Sequence, residues 1–293
     1  MDHTKLKGRP AFPFETIGVA VAFSPRLEAI LGEAKMLSEA FGSELLLIHI
    51  GEHSKTKESK LEELMNGLGI DKSKVKTIWK QGNPVTALLE ACKENMVDLL
   101  ILGAMQKENV LKYYLGSIAR KISRRAKCSV LLLTEPKKEG TRFKKIMVNG
   151  IENPKTIHTI NAAVYFGKHV KAKDLIVGTE VNHLGLAMTI ANDSTAQQAS
   201  KIKKEFSEEE MNKVHDMVTN VGQREGIEIS EKLIKGKPGF AISQYAQNKK
   251  ADLLIINSPD QKYGIMDRIF THDMEYILEN LPTNVLIVHS RIN

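Results

Sequence analysis

Four segments in the first half of the chain recur in the same order in the second half. The matched pairs are TIGVAVAFSP (16–25) with KIMVNGIENP (145–154), SELLLIHI (43–50) with KDLIVGTE (173–180), GNPVTALLEACKENMVDLLIL (82–102) with GKPGFAISQYAQNKKADLLII (236–256), and CSVLLLTE (128–135) with TNVLIVHS (283–290). Such a repeat indicates a duplicated structural unit. We therefore predict two tandem domains, residues 1–138 and 139–293, joined by the polar segment 135–142, which contains Pro136 and Gly140.

Within each copy, buried strand patterns alternate with amphipathic helix patterns, and the whole reads as five strands separated by four helices. In the first copy the apolar residues from Leu27 to Ala40 recur at helical spacing, and Gly42 is a helix stop. Asn83 and Pro84 form a cap and first-turn pair for a later helix. This alternation predicts an α/β fold: a five-stranded parallel sheet in each copy, with helices on both faces.

Composition narrows the classes of function. The chain has 293 residues and a net charge of +7, and no apolar run approaches the roughly 18–20 residues that cross a bilayer. Cys92 and Cys128 lie in apolar contexts outside any C-x-x-C motif, so free buried thiols and a cytoplasmic location are expected, with no membrane insertion. The basic residues 120–127 follow the polar face of a helix without aromatic residues between them, which indicates a solvated face rather than a nucleic-acid site.

The segment LLILGAMQKENVLKYYLGSIARK (99–121) follows a strand and opens a helix. Parallel sheets bind ligands where the winding direction reverses, and this loop is expected to meet the loop after the first strand there. Gly116 and Ser117 at a helix start offer free N–H groups, the positive end of the helix dipole and a hydroxyl to an anion. In the alternative interpretation, Ser117 is only a helix cap and Gly103 only a strand-ending turn.

At this loop the chain resembles the universal stress protein family, because Gly103, position 106, Gly116 and Ser117 follow its G-x2-G-x9-G-[S/T] signature. The Gly82–Pro84 turn, DLLILG (98–103) and CSVLLL (128–133) extend the resemblance, and the repeat extends it to nearly the whole chain as a tandem member. It implies two Rossmann-like domains packed through their last strands, 129–133 and 284–288, as an intramolecular pseudo-dimer. It also implies ATP in the signature loop.

Carried over residue by residue, this resemblance gives a partial site. The cofactor-binding residues it implies are Gly103, Gln106, Gly116, Ser117 and Ile118. Gln106 replaces the middle glycine of the signature, and Ala22 stands where nucleotide-binding members have an acidic residue. Loss of that carboxylate removes an anchor of about 1.5–3 kcal/mol. Lys107 is a further candidate for contact with phosphate.

The second copy departs further from the signature. Asn257 stands at its first glycine, Thr271 and His272 at the Gly–Ser pair, and Gly264 does not restore the motif. The segment GKPG (236–239) falls on the turn before the third helix and is interpreted as structural. Residues 181–199 add most of the extra length of this copy. ATP binding in the family mode is therefore expected in the N-terminal domain only.

Other chemistry is not indicated by the sequence. His49 and His53 lack a carboxylate cluster that would complete a metal site, Asp98 and Asp252 are expected to face a helix end or solvent, and no base–nucleophile pair predicts catalysis beyond slow ATP hydrolysis. Two classes of function remain. One is a stress-response or regulatory module with weak ATP binding, and the other is a nucleotide-independent scaffold for a partner protein or another small molecule. A homodimer of the tandem chain is compatible with both.

Overall fold

The computed structural model describes residues 10–106, 113–181, 196–226, 228–259 and 274–289. Its strands are β1 Thr16–Ala20, β2 Glu44–Ile50, β3 Val75–Lys80, β4 Leu99–Gly103, β5 Met105–Gln106, β6 Tyr113–Tyr114, β7 Ser129–Leu133, β8 Lys145–Asn149, β9 Asp174–Val181, β10 Ser230–Lys235, β11 Leu253–Asn257 and β12 Asn284–Val288. Its helices are α1 Leu27–Phe41, α2 Lys55–Gly67, α3 Pro84–Glu94, α4 Ser117–Arg125, α5 Thr156–Val170, α6 Ala196–Glu225 and α7 Phe240–Asn248. Residues 274–279 are also helical.

Ten strands form one continuous sheet in the order β10-β9-β8-β11-β12-β7-β4-β1-β2-β3. In this sheet all pairs within a copy are parallel, and the two copies meet where β12 pairs with β7 in antiparallel register, with Leu286 opposite Leu131. The predicted five-stranded sheets, and their packing through the last strands, are thus confirmed. The pairing makes the tandem chain a pseudo-dimer within one polypeptide.

Two hydrophobic cores lie on the two faces of this sheet. On one face α1, α2, α5 and α6 cover side chains such as Leu99 and Ile101, and on the other α3, α4, α7 and residues 274–279 cover Leu100 and Leu102. Alternate residues of β4 therefore enter opposite cores, as a strand buried on both faces requires. Each core contains residues of both copies, so the joint between the domains is part of the interior.

Local signals mark the helix ends as predicted. Gly42 ends α1 with φ of 71°, a left-handed conformation that suits glycine. The Asn83 side chain accepts hydrogen bonds from the backbone N–H groups of Val85 and Thr86 at the start of α3. The two cysteines are free and buried, and the hydrogen bond that the Cys92 thiol donates to Cys128, together with burial, raises the pKa of Cys92 well above its ordinary value. Both are core thiols.

The expectation that Asp98 and Asp252 face a helix end or solvent was wrong for Asp98, which is buried, whereas Asp252 is partly exposed. Asp98 Oδ2 accepts the backbone N–H groups of Glu15 and Thr16 at 3.1 and 3.0 Å. Asp252 Oδ2 accepts those of Lys144 and Lys145 at 2.9 and 2.8 Å. In each copy the aspartate before the fourth long strand therefore holds the start of the first strand, which lies beside it in the sheet but far away in sequence.

The segment that joins the domains is anchored to α1 by a buried carboxylate. Glu33 accepts the N–H of Lys137 at 2.9 Å and that of Thr141 at 2.8 Å, and it also accepts the Thr141 hydroxyl. Its side chain is fully buried. The chain passes close above α1 here, since a Cβ on Gly32 would lie 2.1 Å from the carbonyl oxygen of Lys138.

Replacement of Glu33 by alanine is expected to lower the free energy of unfolding by about 3 kcal/mol, because it leaves buried N–H and hydroxyl donors without an acceptor. Glu28 is the matched control, since it lies on the same helix and forms an exposed ion pair with Lys138 in the same segment. Glu28→Ala is expected to cost less than about 1 kcal/mol. Chemical denaturation measures both, and equal losses would contradict the assigned role of Glu33.

Candidate functional site

The sheet order reverses between β1 and β4, and the chain leaves both strands at the same edge of the sheet. Residues 21–26 follow β1, and residues 104–106 and 113–116 are the described parts of the loop after β4. Arg26 contacts both Ala104 and Tyr113, so the two loops that the sequence predicts to meet do meet here. Open parallel sheets bind ligands at such a crevice. This is the candidate site of the first copy.

The loop after β4 folds into a short ribbon. Met105 pairs with Tyr114 and Gln106 with Tyr113 in antiparallel register. The predicted contact residue Lys107 lies outside the described residues. Gln106, at the middle glycine of the signature, is exposed on this ribbon. In an antiparallel ribbon alternate residues direct their backbone N–H groups to the partner strand, so this pairing commits part of the backbone of the loop.

The same loop is fastened to the second copy. The N–H of Leu281 donates to the carbonyl of Tyr113 at 3.0 Å, and the N–H of Leu115 donates to that of Leu278 at 3.1 Å. Leu115 and Leu281 are both buried. The signature loop is therefore part of the contact between the domains, a role that its sequence did not indicate.

Both glycines that the chain retains from the signature lie close to other side chains. A Cβ on Gly103 would lie 2.9 Å from Cδ1 of Ile30, and one on Gly116 would lie 2.8 Å from Sδ of Met105. Ile30 is buried in the core, so this contact favours glycine at position 103 without any ligand, whereas Met105 is exposed and its flexible side chain can move aside at position 116. The interpretation of Gly103 as a structural residue thus has a specific contact behind it.

The start of α4 is open to solvent. Gly116 precedes the helix with φ of −61° and offers no side-chain cap, and the first turn contains no acidic residue. Ser117 and Ile118 are exposed. Because the first N–H groups of a helix have no partner within it, this end presents donors and partial positive charge to an anion.

Arg26 is a residue of this region that the sequence analysis missed. Its guanidinium donates to the carbonyls of Ala104, Leu133 and Thr134, at the ends of β4 and β7. The same group lies 5.8 Å from the ring centroid of Tyr113. Burial lowers the pKa of Arg26 from its ordinary value. The sequence feature that could have pointed to Arg26 is its position directly after Ser24–Pro25, at the start of α1.

Aromatic rings cover the ends of β1, β2 and β3. Phe23 and Trp79 stack with centroids 6.1 Å apart, and the His49 ring lies edge-on to both, at 5.0 and 5.1 Å. His53 contacts Trp79 at 4.8 Å. Ala22, beside this group, is exposed and carries no carboxylate. His49 and His53 thus belong to an aromatic cluster, and among the described residues no group of three or more His, Cys, Asp or Glu is placed to hold a metal.

The sequence predicted that the basic face of α4 is solvated, but part of this face forms ion pairs with the second copy. Arg120 forms an ion pair with Glu275 at 2.7 Å and another with Glu279 at 3.6 Å, and Arg124 also pairs with Glu275. Both glutamates belong to the second copy. Part of the basic cluster therefore lies against acidic residues of the other domain, where it is partly neutralised.

The second copy has a different arrangement at the equivalent edge. Asn257, in place of the first glycine, donates from Nδ2 to the hydroxyl of Thr156 at 3.1 Å and accepts the hydroxyl of Thr159. These bonds tie it to α5. Thr271, His272 and Gly264 lie outside the described residues, as do residues 182–195 of the added segment. Residues 196–199 belong to α6.

The GKPG turn is structural, as predicted. The Glu180 carboxylate at the end of β9 accepts the N–H of Gly239 at 3.0 Å and that of Ile242 at 2.8 Å. A carboxylate thus already occupies the anion position at the start of α7. The neighbouring strand supplies the cap that Asn83 supplies locally in the first copy.

Comparison with known proteins shows where this architecture recurs. The model of the Universal stress protein family matches residues 13–134 and again residues 175–289. A universal stress protein of Methanocaldococcus jannaschii is 32% identical over 66 residues, which cover 22% of this chain and 39% of that protein. The matched stretch is therefore less than half of the length of this relative.

Solved structures share the fold over nearly the whole chain. One from Pseudomonas aeruginosa, described as a candidate universal stress protein, has a TM-score of 0.69 at 16% identity and covers 95% of this chain and 94% of its own. A universal stress protein from Archaeoglobus fulgidus has a TM-score of 0.65 at 15% identity, with coverage of 94% and 98%. At such identities these similarities establish the fold.

Among the described residues, no helix is long and apolar enough to cross a membrane.

Replacement of Arg26 by methionine is expected to lower the free energy of unfolding by about 2 kcal/mol, because carbonyls at the ends of β4 and β7 lose a charged donor. Arg142, an exposed arginine near the domain joint, provides the control, and Arg142→Met is expected to change stability by less than about 0.5 kcal/mol. Denaturant midpoints compare the two variants. Indistinguishable midpoints would mean that the guanidinium contacts contribute nothing.

Proposed function

Because the chain belongs to the universal stress protein family, we propose that it is a stress-response or regulatory protein whose N-terminal domain binds an adenine nucleotide weakly. The domains are assigned to residues 1–138 and 139–293, and the protein to the cytoplasm. The residues proposed to contact the nucleotide are Gly103, Gln106, Gly116, Ser117 and Ile118. No protein nucleophile or general base is assigned.

The observation that carries this proposal is the open start of α4 at the crevice between β1 and β4. Gly116 has no side chain to occupy that end, and Ser117 and Ile118 are exposed there. Phosphate groups bind well at such a position, since they accept the unpaired N–H groups and interact favourably with the helix dipole. The exposed amide of Gln106 on the adjoining ribbon supplies a further donor.

Three features make the proposed binding weak. Ala22 provides no carboxylate for the nucleoside, so one charge-assisted anchor is missing. The ribbon uses the middle of the signature loop for pairing between Gln106 and Tyr113. The spaces beside Gly103 and Gly116 are occupied by Ile30 and Met105, so phosphates have access to the helix start but not to a full cradle.

In the second copy we propose no nucleotide site of this kind. Asn257 brings a side chain to the position of Gly103 and commits it to Thr156 and Thr159 on α5. A phosphate there would have to displace those hydrogen bonds. The difference between Gly103 and Asn257 is thus the structural basis for assigning the nucleotide to the first copy.

Titration of the purified protein with ATP at millimolar concentration tests the proposal, with calorimetry as the readout. We expect saturable heat, and we expect Ser117→Glu to weaken binding roughly tenfold or more because its carboxylate repels the phosphates. The variant remains folded, since an acidic residue in the first turn of a helix stabilises it by about 0.3–1 kcal/mol. Ser117→Gln controls for side-chain size.

Thr86→Glu is the matched charge control, because it places the same charge in the first turn of α3, and it should bind ATP like the unmodified protein. The site assignment fails if Ser117→Glu and Thr86→Glu bind ATP equally. The nucleotide proposal as a whole fails if the unmodified protein gives neither heat nor a thermal shift with ATP.

A second candidate function is a nucleotide-independent scaffold for a partner protein or another small molecule. The bonds from Leu115 and Tyr113 to the second copy favour it, because they already commit the signature loop to the joint between the domains. Hydrogen exchange separates the candidates. A scaffold predicts that millimolar ATP leaves exchange at residues 113–119 unchanged, whereas bound nucleotide would slow exchange at the N–H groups of residues 117–119.

A further inference from the structure

Each copy has a surface cleft between its third helix and the segment that leads into its last strand. In the first copy this cleft has a volume of about 270 Å³, and in the second about 510 Å³. Small-molecule sites usually measure roughly 300–1,000 Å³. Only the larger of these two clefts falls in that range.

The two clefts are counterparts in the repeat. On the third helix and the connection that follows it, the first cleft has Leu89, Glu90, Lys93 and Val97, which align with Ser243, Gln244, Gln247 and Ala251 of the second. Before the last strand, Arg125, Lys127 and Cys128 align with Asn280, Pro282 and Thr283. The duplication thus produced a cleft at the same place in each copy, and the side chains of the two clefts can be compared position by position.

The chemistry of the groove differs between the copies. In the first, Glu90, Lys93, Arg125 and Lys127 give it charged walls. In the second, the aligned positions hold hydroxyl, amide and apolar side chains without charge. Gln244 donates to Gln247 at 3.4 Å, and that bond uses one polar atom of each amide.

Residues of the first copy complete the larger cleft. Glu135, Lys137 and Thr141 of the domain joint line it, together with Tyr113 of the ribbon. Glu33 holds the joint in place through Lys137 and Thr141. This wall exists because both copies belong to one chain, and it accounts for part of the difference in volume.

Two tyrosines, Tyr113 and Tyr276, contribute to the lining of the cleft. Burial and the neighbouring Glu135, which accepts the phenol hydrogen bond, raise the pKa of Tyr113 above its ordinary value, so its hydroxyl stays protonated at neutral pH. Aromatic rings beside amides and hydroxyls provide apolar faces between groups that both donate and accept hydrogen bonds. A molecule rich in hydroxyl groups likewise combines apolar C–H faces with groups that both donate and accept hydrogen bonds.

We propose that this cleft, lined by Gln244, Gln247 and Tyr276, binds a small neutral polyhydroxylated ligand of monosaccharide to disaccharide size. Hydroxyl groups of a sugar both donate and accept, as do the amides of the cleft. The carboxylates of Glu135 and Asp252 disfavour an anion, and the ammonium group of Lys137 disfavours a cation. The site is separate from the start of α4, so it stands whether or not ATP binds there.

Saturation-transfer NMR with maltose, trehalose and sucrose as probes tests this inference, with adenosine and inorganic phosphate as comparison ligands. We expect at least one of the sugars to bind, with no signal from phosphate. The double variant Gln244→Leu/Gln247→Leu changes only exposed side chains and is expected to weaken sugar binding at least tenfold, since each lost hydrogen bond contributes about 0.5–1.5 kcal/mol.

Glu90→Leu/Lys93→Leu makes the aligned change in the first copy and is expected to leave sugar binding unchanged, as is Ser117→Glu. The inference is overturned if none of the three sugars binds at about 10 mM, a concentration at which even a millimolar dissociation constant gives a signal. It is also overturned if the Gln244/Gln247 variant binds sugar as well as the unmodified protein, or if adenosine alone occupies the cleft.

Discussion

The antiparallel pairing of β7 with β12 is the interaction on which the rest of the structure depends. It removes the two strand edges that the copies would otherwise expose and makes one ten-stranded sheet. Side chains hold both ends of the pair: Asn284 accepts the N–H of Thr134 at 2.9 Å, and Ser129 accepts that of His289 at 3.3 Å. Because both cores continue across this joint, the domains are held by their interiors and not by surface contacts alone.

Duplication gave the two copies the same framework, and small substitutions then made their sites different. In the first copy the start of α4 is exposed and has no side-chain cap, whereas in the second Asn257 ties the equivalent edge of the sheet to α5. At the ends of the central strands, the small Thr134 lines the larger cleft, whereas the ring of its counterpart His289 donates to the carbonyl of Ser123 at 3.1 Å. A fold with internal pseudo-symmetry can thus present two unlike faces to ligands.

Much of the fold could be predicted because its signals are local or repeated. The stop at Gly42 and the cap at Asn83 depend on neighbouring residues, and the repeat itself implied two equivalent sheets. The candidate site was less accessible to such reasoning. The positions of Gly103 and Gly116 were read from the sequence, but the side chains that occupy the space beside them come from α1 and from the ribbon. The roles of Asp98 and Arg26 were missed for the same reason, since their partners lie tens of residues away.

By itself, the sequence determined the duplicated α/β architecture, the approximate bounds of the main strands and helices of the first copy, and the unequal state of the signature in the two copies. The architecture and the bounds follow from hydrophobic periodicity and helix capping, which depend on residues close together in the sequence, and the state of the signature follows from alignment of the two copies. Only the tertiary structure shows that the signature loop forms hydrogen bonds with the second domain, and that residues of the domain joint line the larger cleft. These features depend on which surfaces pack together in the folded protein, because that packing brings into contact residues that are far apart in sequence.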